Sequence, residues 1–231
     1  MSIKVGVVGA GSVGSTLGGM ALKGGNSVKY ASRDPSSDKI KELLSSQAGT
    51  SADTTPNVVS WADVIILATP GAYEDEGITK LAESLGDVTG KVIIDVTNPL
   101  SAFPGLEVRW KQGTSGAEVL QAALPNAIIY KAFNTLGVEN MSHGDGSGFA
   151  GWTGGQLSMM YAGGPEKNDQ VATLIKAMGW IPAYVGPIRY ARNLEAIAEL
   201  WIHLGVPPAG TTSVFWGRNF VFEPIGASIP E

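Results

Sequence analysis

Short apolar runs alternate along the chain with segments whose apolar residues recur at the spacing of a helix. Several runs are apolar at consecutive positions, which is typical of strands that helices cover on both faces of a parallel sheet. Seven strands are predicted, at residues 3–8, 28–31, 64–68, 92–96, 127–131, 159–162 and 182–185. The pattern therefore predicts a sheet built from βαβ units.

Helices are predicted in the segments between these strands. Val171, Leu174 and Ile175 show the i, i+3, i+4 spacing of an amphipathic helix directly. The predicted helices span residues 13–23, 39–45, 74–84, 117–123, 165–178 and 191–203. The predicted fold class is α/β, a Rossmann-type doubly wound parallel sheet with a small C-terminal α/β extension.

Composition narrows the range of partners. Apolar residues make up 44% of the chain and the formal net charge is −5, which disfavours binding to nucleic acid or to an anionic membrane surface. The chain has no Cys and only two His, so no metal site is expected. Neither a secretory signal nor an apolar run of about 20 residues is visible, so we expect a cytoplasmic protein without a membrane partner.

The strongest motif is the loop Gly9-Ala10-Gly11-Ser12-Val13-Gly14, which matches G-x-G-x-x-G. It follows an apolar strand and opens a predicted helix, as a dinucleotide-binding loop requires. The first Gly permits the tight turn, the second lets a pyrophosphate approach the backbone, and the third lets helix and strand pack closely. These six residues are therefore predicted to bind a nicotinamide dinucleotide at the helix N-terminus.

The end of the second strand selects between NADP and NAD. Ser32 and Arg33 stand where an acidic residue would bind the ribose 2′-hydroxyl of NAD, and Lys39 lies one helical turn on. An Arg at this place suits a 2′-phosphate through charge-assisted hydrogen bonds. Asp34 leaves a second reading open, because it could cap the next helix or bind a ribose. We predict NADP(H) as the cofactor.

Three further strand ends carry polar or Pro-containing turns. In open α/β sheets, ligands lie beyond the carboxyl ends of the strands. The turns are Ala68-Thr69-Pro70-Gly71, Val96-Thr97-Asn98-Pro99-Leu100 and Lys131-Ala132-Phe133-Asn134-Thr135-Leu136-Gly137. We expect all three to converge on the nicotinamide and its reaction partner.

These motifs together carry a resemblance to a known family. GAGSVG at 9–14, Ser32-Arg33, VIIDVTNPL at 92–100, KAFNTLG at 131–137 and the run 162–204 resemble the NADPH-dependent F420 reductase family, which is related to the oxidoreductase domain of the STEAP ferric reductases. The resemblance implies an NADP-binding Rossmann domain at residues 1–150 and a smaller substrate-binding or dimerisation portion at 151–231. It also implies direct hydride transfer between nicotinamide C4 and a deazaflavin such as F420 or a flavin-like acceptor, which needs stacking more than an acid or base.

The resemblance and the motifs give the following site prediction, in which no residue has a catalytic acid–base role. Cofactor binding is assigned to Gly9, Ala10, Gly11, Ser12, Val13, Gly14, Ser32, Arg33, Lys39, Thr69, Pro70, Asn98, Pro99, Ala132 and Asn134. Binding of a small planar acceptor is assigned to Leu100, Asn134, Thr135, Leu136 and Trp152.

Two other functions stay open at this stage. An NADPH-dependent reductase of imines or carbonyl compounds would need a proton donor, for which Tyr130, Lys131 and His143 are the candidates. A non-catalytic NADP(H)-binding module that senses redox state is the other. The aromatic C-terminal tail, which includes Phe215 and Trp216, leads us to expect a homodimer.

Overall fold

A computed structural model describes residues 2–227, except for the side chains of residues 110 and 111. One sheet of eight strands runs through it. The strands are β1 Lys4–Val8, β2 Ser27–Ala31, β3 Ser51–Asp53, β4 Val64–Leu67, β5 Val92–Asp95, β6 Ile128–Lys131, β7 Ser158–Gly163 and β8 Ile181–Gly186. Their order across the sheet is β3-β2-β1-β4-β5-β6-β7-β8. All neighbours are parallel except β6 and β7, which are antiparallel.

Helices cover both faces of this sheet. They are α1 Ser12–Lys23, α2 Asp38–Ser46, α3 Thr55–Trp61, α4 Asp75–Ser84, α5 Gly116–Ala123, α6 Asn168–Ala177 and α7 Ala191–Gly205. Val7 and Ile66 face a core that includes Leu17 of α1, whereas Ile65 faces a second core that includes Val58 of α3. Consecutive residues of one strand thus enter different cores, which explains the unbroken apolar runs. The predicted doubly wound fold is confirmed.

The seven predicted strands and six predicted helices are present, with bounds shifted by a few residues. The pattern missed β3 and α3 altogether. Ser51–Asp53 is a three-residue polar strand at the sheet edge, too short to show a periodicity. The helix predicted from residue 165 begins instead at Asn168, because Lys167 adopts a left-handed φ of 60°.

The C-terminal extension continues the same sheet. β7 reverses direction and pairs with β6, and β8 then pairs with β7 in parallel. The division of function at residue 150 stays a prediction. Within residues 2–227 no helix is both long enough and apolar enough to cross a membrane, and the cytoplasmic location also stays a prediction.

Candidate functional site

The glycine loop connects β1 to α1 and leaves the first turn of the helix open. Gly9 turns the chain with a φ of 106°. A Cβ on Gly14 would lie 1.8 Å from the carbonyl oxygen of Gly9, so only glycine permits this approach of helix and strand. A Cβ on Gly11 would meet nothing within 4 Å, and Gly11 caps α1 without a side chain. The first-turn amides are therefore free for an anion.

A cleft of about 880 Å³ lies beside this loop at the carboxyl ends of β1, β2 and β4. Its walls include the predicted residues Gly9, Ala10, Gly11, Ser32, Arg33, Lys39, Thr69 and Pro70. Arg33 and Lys39 are the titratable groups of this lining, which contains no carboxylate, and neither forms an ion pair within the described part of the chain. The cleft therefore attracts an anionic ligand at the end of β2.

Asp34 does not take part in this lining. Its carboxylate accepts hydrogen bonds from the Ser36 hydroxyl at 2.6 Å and the Ser36 amide at 3.0 Å. These bonds, that of the hydroxyl first, lower the pKa of Asp34. The residue thus closes a turn before α2, whose N-cap is Ser37, so the reading of Asp34 as the cap of that helix is wrong.

Two glycine substitutions separate packing from ligand approach. We expect Gly14→Ala to lower the free energy of unfolding by about 1–3 kcal/mol, because its methyl group overlaps the Gly9 carbonyl. Gly11→Ala should change stability by no more than about 0.5 kcal/mol and still weaken NADPH binding, since its methyl group occupies the open cleft. Denaturant unfolding and NADPH titration of both variants measure this. Equal stability losses would contradict the assigned geometry.

Beyond the cleft, the loops after β5 and β6 are joined by an asparagine pair. Asn98 Nδ2 donates to the Asn134 carbonyl at 3.1 Å, and Asn134 Nδ2 donates to Asn98 Oδ1 at 3.0 Å. Asn134 follows Phe133, which is fully buried at a φ of 58°, a strained conformation for an aromatic residue. Such strain persists where the surrounding structure demands it, and here it sets the direction of the loop that carries Asn134.

Two buried polar atoms near these loops lack a protein partner. They are Asn134 Oδ1 and Thr69 Oγ1, at the carboxyl ends of β6 and β4. A buried acceptor or hydroxyl without a hydrogen bond costs about 1–3 kcal/mol. Both atoms therefore suit a polar ligand group that reaches this edge of the sheet.

A buried cluster of three charges lies directly under the asparagine pair. Lys131, the last residue of β6, is fully buried, and its Nζ lies 2.8 Å from Asp95 Oδ2 and 3.0 Å from Glu195 Oε1. Burial lowers the pKa of Lys131, but the charges of Asp95 and Glu195 outweigh this effect and raise it above its usual value. Burial raises the pKa of Glu195 against the opposing effect of Lys131. The cluster is thus a mutually dependent ion pair network.

The other predicted residues lie at different distances from the cleft lining. Pro99, Ala132, Thr135 and Leu136 are buried in the loops that flank the asparagine pair, and Leu100 is partly exposed. Ser12, Val13 and Gly14 belong to the first turn of α1 rather than to the cleft wall. The half-buried Trp152 packs within its own loop, where its Nε1 donates to the Gly155 carbonyl at 2.7 Å. Its assignment to the acceptor site stays a prediction.

Several residues of the site were not predicted from the sequence. Thr54, Thr55 and Pro56 line the cleft at the start of α3, and the Thr-Thr-Pro helix start was the only available signal. Glu195 was missed as well, although a Glu on an otherwise apolar helix face is an unusual feature.

The structure also bears on a metal site and on the three candidate proton donors. Among residues 2–227 no group of three or more acidic or histidine side chains could hold a metal ion. Of the three candidate proton donors, Lys131 is enclosed in its charge cluster, and the Tyr130 hydroxyl is bound to the carbonyls of Gly164 and Glu166. His143 is partly exposed in the glycine-rich loop, with Ser147 Oγ 3.5 Å from its Nδ1.

Comparison with known proteins agrees with this site. Residues 4–99 match the family model described as NADP oxidoreductase, coenzyme F420-dependent. The chain is 29% identical over 224 residues to metalloreductase STEAP3 of Rattus norvegicus. The aligned region covers 94% of this chain and 42% of the rat protein. The chain thus spans less than half the length of this relative.

Solved structures show the same fold. A candidate F420-dependent NADP reductase from Arthrobacter sp. FB24 is 28% identical with a TM-score of 0.73, over 88% of this chain and 93% of that one. A reductive aminase from Aspergillus terreus, solved with NADPH and ethyl levulinate, is 18% identical with a TM-score of 0.60, over 88% of this chain and 61% of that one, and it shows the fold alone. Residues 4–99, which contain the glycine loop and the cleft lining, are thus similar to the F420-dependent NADP oxidoreductase family.

Proposed function

We propose that this protein transfers a hydride between nicotinamide C4 of NADP(H) and a planar acceptor of the deazaflavin (F420-like) or flavin-like class. The observation that carries the proposal is the cleft itself. It joins an open helix N-terminus to two unpaired cations, Arg33 after β2 and Lys39 in the first turn of α2, as a pyrophosphate and a 2′-phosphate require. The similarity of residues 4–99 to the F420-dependent NADP oxidoreductase family supports the oxidoreductase class.

Different groups of residues would contact different parts of the cofactor. Gly9 to Gly14 would hold the pyrophosphate, while Ser32, Arg33 and Lys39 would hold the 2′-phosphate. Thr69, Pro70, Asn98, Pro99, Ala132 and Asn134 would line the ribose and the nicotinamide. The unpartnered Thr69 Oγ1 and Asn134 Oδ1 fit this role, because a ribose hydroxyl and a carboxamide offer the hydrogen-bond partners that these atoms lack.

NADPH, when bound, supplies a hydride from C4 of its nicotinamide. The chain's contribution is to orient the ring and to exclude water from the reacting face. Leu100, Asn134, Thr135, Leu136 and Trp152 would border the acceptor. The enclosed state of Lys131 and Tyr130 agrees with a reaction that needs no proton donor from either.

Charges around the acceptor loops bear on which planar acceptor fits. F420 carries a phosphate and a glutamate tail, for which free cations would be expected. Three arginines that the sequence offers for this role are paired instead: Arg192 with Glu118 at 2.7 Å, Arg218 with Glu139, and Arg109 with Asp75. This pattern supports a tail-less deazaflavin or a flavin over F420 itself.

Stopped-flow oxidation of NADPH by riboflavin, FMN, F420 and its tail-less deazaflavin tests the proposal. We expect NADPH oxidation with at least one planar acceptor, and a slower rate when the C4 hydrogen that is transferred is replaced by deuterium. The tail-less deazaflavin should be used at least as efficiently as F420. No oxidation above background with any of them would overturn the proposal.

A reductase of imines or carbonyl compounds is the second candidate, favoured by the partly exposed side chain of His143. His143→Ala should then abolish turnover of an imine substrate while NADPH binding persists. A non-catalytic module would bind NADPH and oxidise it with no acceptor of either class.

We also propose that the protein is a homodimer through its aromatic tail. Val214, Phe215 and Trp216 are each more than half exposed, a contiguous apolar segment that is unusual on a monomer surface. The double substitution Phe215→Ser, Trp216→Ser is expected to convert a dimer to a monomer. Light scattering after gel filtration measures the mass, and an unchanged dimer mass would exclude the tail as the interface.

A further inference from the structure

The buried charge cluster holds both backbone polar groups of a single residue, Thr97. Asp95 Oδ1 accepts a hydrogen bond from the Thr97 amide at 2.9 Å, and Lys131 Nζ donates to the Thr97 carbonyl at 2.6 Å. Asp95 and Lys131 are paired across β5 and β6. Thr97 is therefore fixed by side chains from the two adjacent strands β5 and β6.

The position of Thr97 in turn determines the position of the asparagine pair. Asn98 follows Thr97 in the chain and exchanges hydrogen bonds with Asn134, which stands three residues after Lys131. Asn134 Oδ1 is left without a protein partner. Any shift of the Thr97 carbonyl would move Asn98 and, through it, the atom that is available to a ligand.

Glu195 links the charge cluster to the other end of the loop between β5 and α5. Its Oε1 lies 3.0 Å from Lys131 Nζ, and its Oε2 accepts from the Gly116 amide at 3.0 Å, at the start of α5. The three protons of the Lys131 ammonium thus meet three acceptors, on Asp95, Thr97 and Glu195. Lys131 has no proton left for a substrate, so its task is structural at this edge.

We propose that Lys131 is a positioning residue that acts through the Thr97 carbonyl and sets the Asn98–Asn134 pair against the nicotinamide of bound NADP(H). The inference rests on the proposed cofactor site and does not depend on the identity of the acceptor. It assigns a functional reason to a fully buried lysine whose charge the fold must neutralise with two carboxylates.

The test removes the three charges together, because removal of Lys131 alone leaves two unpaired carboxylates. The triple variant Lys131→Met, Asp95→Asn, Glu195→Gln is expected to fold, since neutral replacement of a buried ion network is often tolerated. Its Kd for NADPH should stay within about threefold, because the phosphate contacts remain. The fluorescence lifetime of bound NADPH should change, and hydride transfer to riboflavin or a tail-less deazaflavin should slow about tenfold or more.

Lys91→Met is the matched control. Lys91 also donates to two backbone carbonyls, those of Ser60 at 3.0 Å and Ala62 at 2.7 Å. It directly precedes β5, so it lies at the amino end of that strand, whereas the candidate site lies at the carboxyl ends. We expect this variant to lose stability and to keep the NADPH lifetime and the transfer rate of the wild type. A triple variant that also keeps both would overturn the proposal.

Asn98→Ala provides a second route that leaves the buried charges intact. It should alter the NADPH lifetime in the same direction as the triple variant, and an unchanged lifetime would contradict the proposed path through Asn98. The lifetime needs only bound NADPH. If the wild type oxidised no acceptor while the lifetimes changed as expected, the proposed function would fail and the positioning role would stand.

Discussion

Replacement of Lys131 by methionine is expected to lower the free energy of unfolding by about 3–5 kcal/mol. The substitution leaves the carboxylates of Asp95 and Glu195, both almost fully buried, without their shared cation. Urea unfolding of the wild type and the variant at pH 7 measures the difference. The triple neutral variant serves as the control, because it removes the same ammonium group without leaving a buried negative charge.

The free energy of unfolding of the same variant should fall as the pH rises. Without Lys131, burial is expected to raise the pKa of Glu195 still further above the unfolded value of about 4. A raised carboxyl pKa contributes stability that is present below the unfolded pKa and is lost as the pH rises through the folded pKa. Lys131→Met should therefore approach the wild-type stability near pH 4 and lose it towards pH 8. A destabilisation that is constant over this range would show that lost packing, rather than unpaired charge, is the cause.

Replacement of Arg33 by alanine is expected to weaken NADPH binding about 10- to 100-fold, or about 1.5–3 kcal/mol, and to leave NADH binding almost unchanged. Arg33 lines the cleft at the end of β2, has no ion pair within the described chain and is free to contact a 2′-phosphate. Isothermal titration with NADPH and NADH, for wild type and variant, measures the preference. Added salt should reduce it in the wild type more than in the variant.

Lys41→Ala is the matched control for this prediction. Lys41 carries the same charge on α2, but it lies outside the cleft lining and pairs with Asp38 at 3.2 Å. Its removal should leave both affinities unchanged. If Arg33→Ala weakened NADPH and NADH equally, the arginine would act on the shared pyrophosphate or on the fold, and the assignment of the 2′-phosphate site would be wrong.

Local sequence patterns were sufficient to predict the glycine loop and the cation that line the cleft. The G-x-G-x-x-G loop and the Ser32-Arg33 pair lie next to apolar strands, so sequence order alone places them at strand ends. Their shared cleft in the structure follows from the order of β1, β2 and β4 in the sheet. No such pattern marks β3, because a three-residue polar strand has no measurable period, and the Thr54–Thr55 wall follows this strand directly.

Asn98 and Asn134 illustrate an intermediate case. Each was predicted from its own strand end, and neither sequence position indicates that they would bond to each other. That pairing depends on β5 and β6 lying side by side and on the positive φ of Phe133. A strained buried aromatic residue cannot be recognised from its neighbours in the chain, since the strain is offset by contacts made elsewhere.

The sequence by itself determined the order of the elements, the nucleotide loop and the cation at the end of β2, because each depends on residues that are neighbours in the chain. Only the tertiary structure decided the role of Lys131. As a sequence feature it stood among candidate proton donors, yet its partners lie on β5, 36 positions away, and on α7. Burial makes such a lysine dependent on charges that the folded chain brings to it, and no local pattern encodes that arrangement.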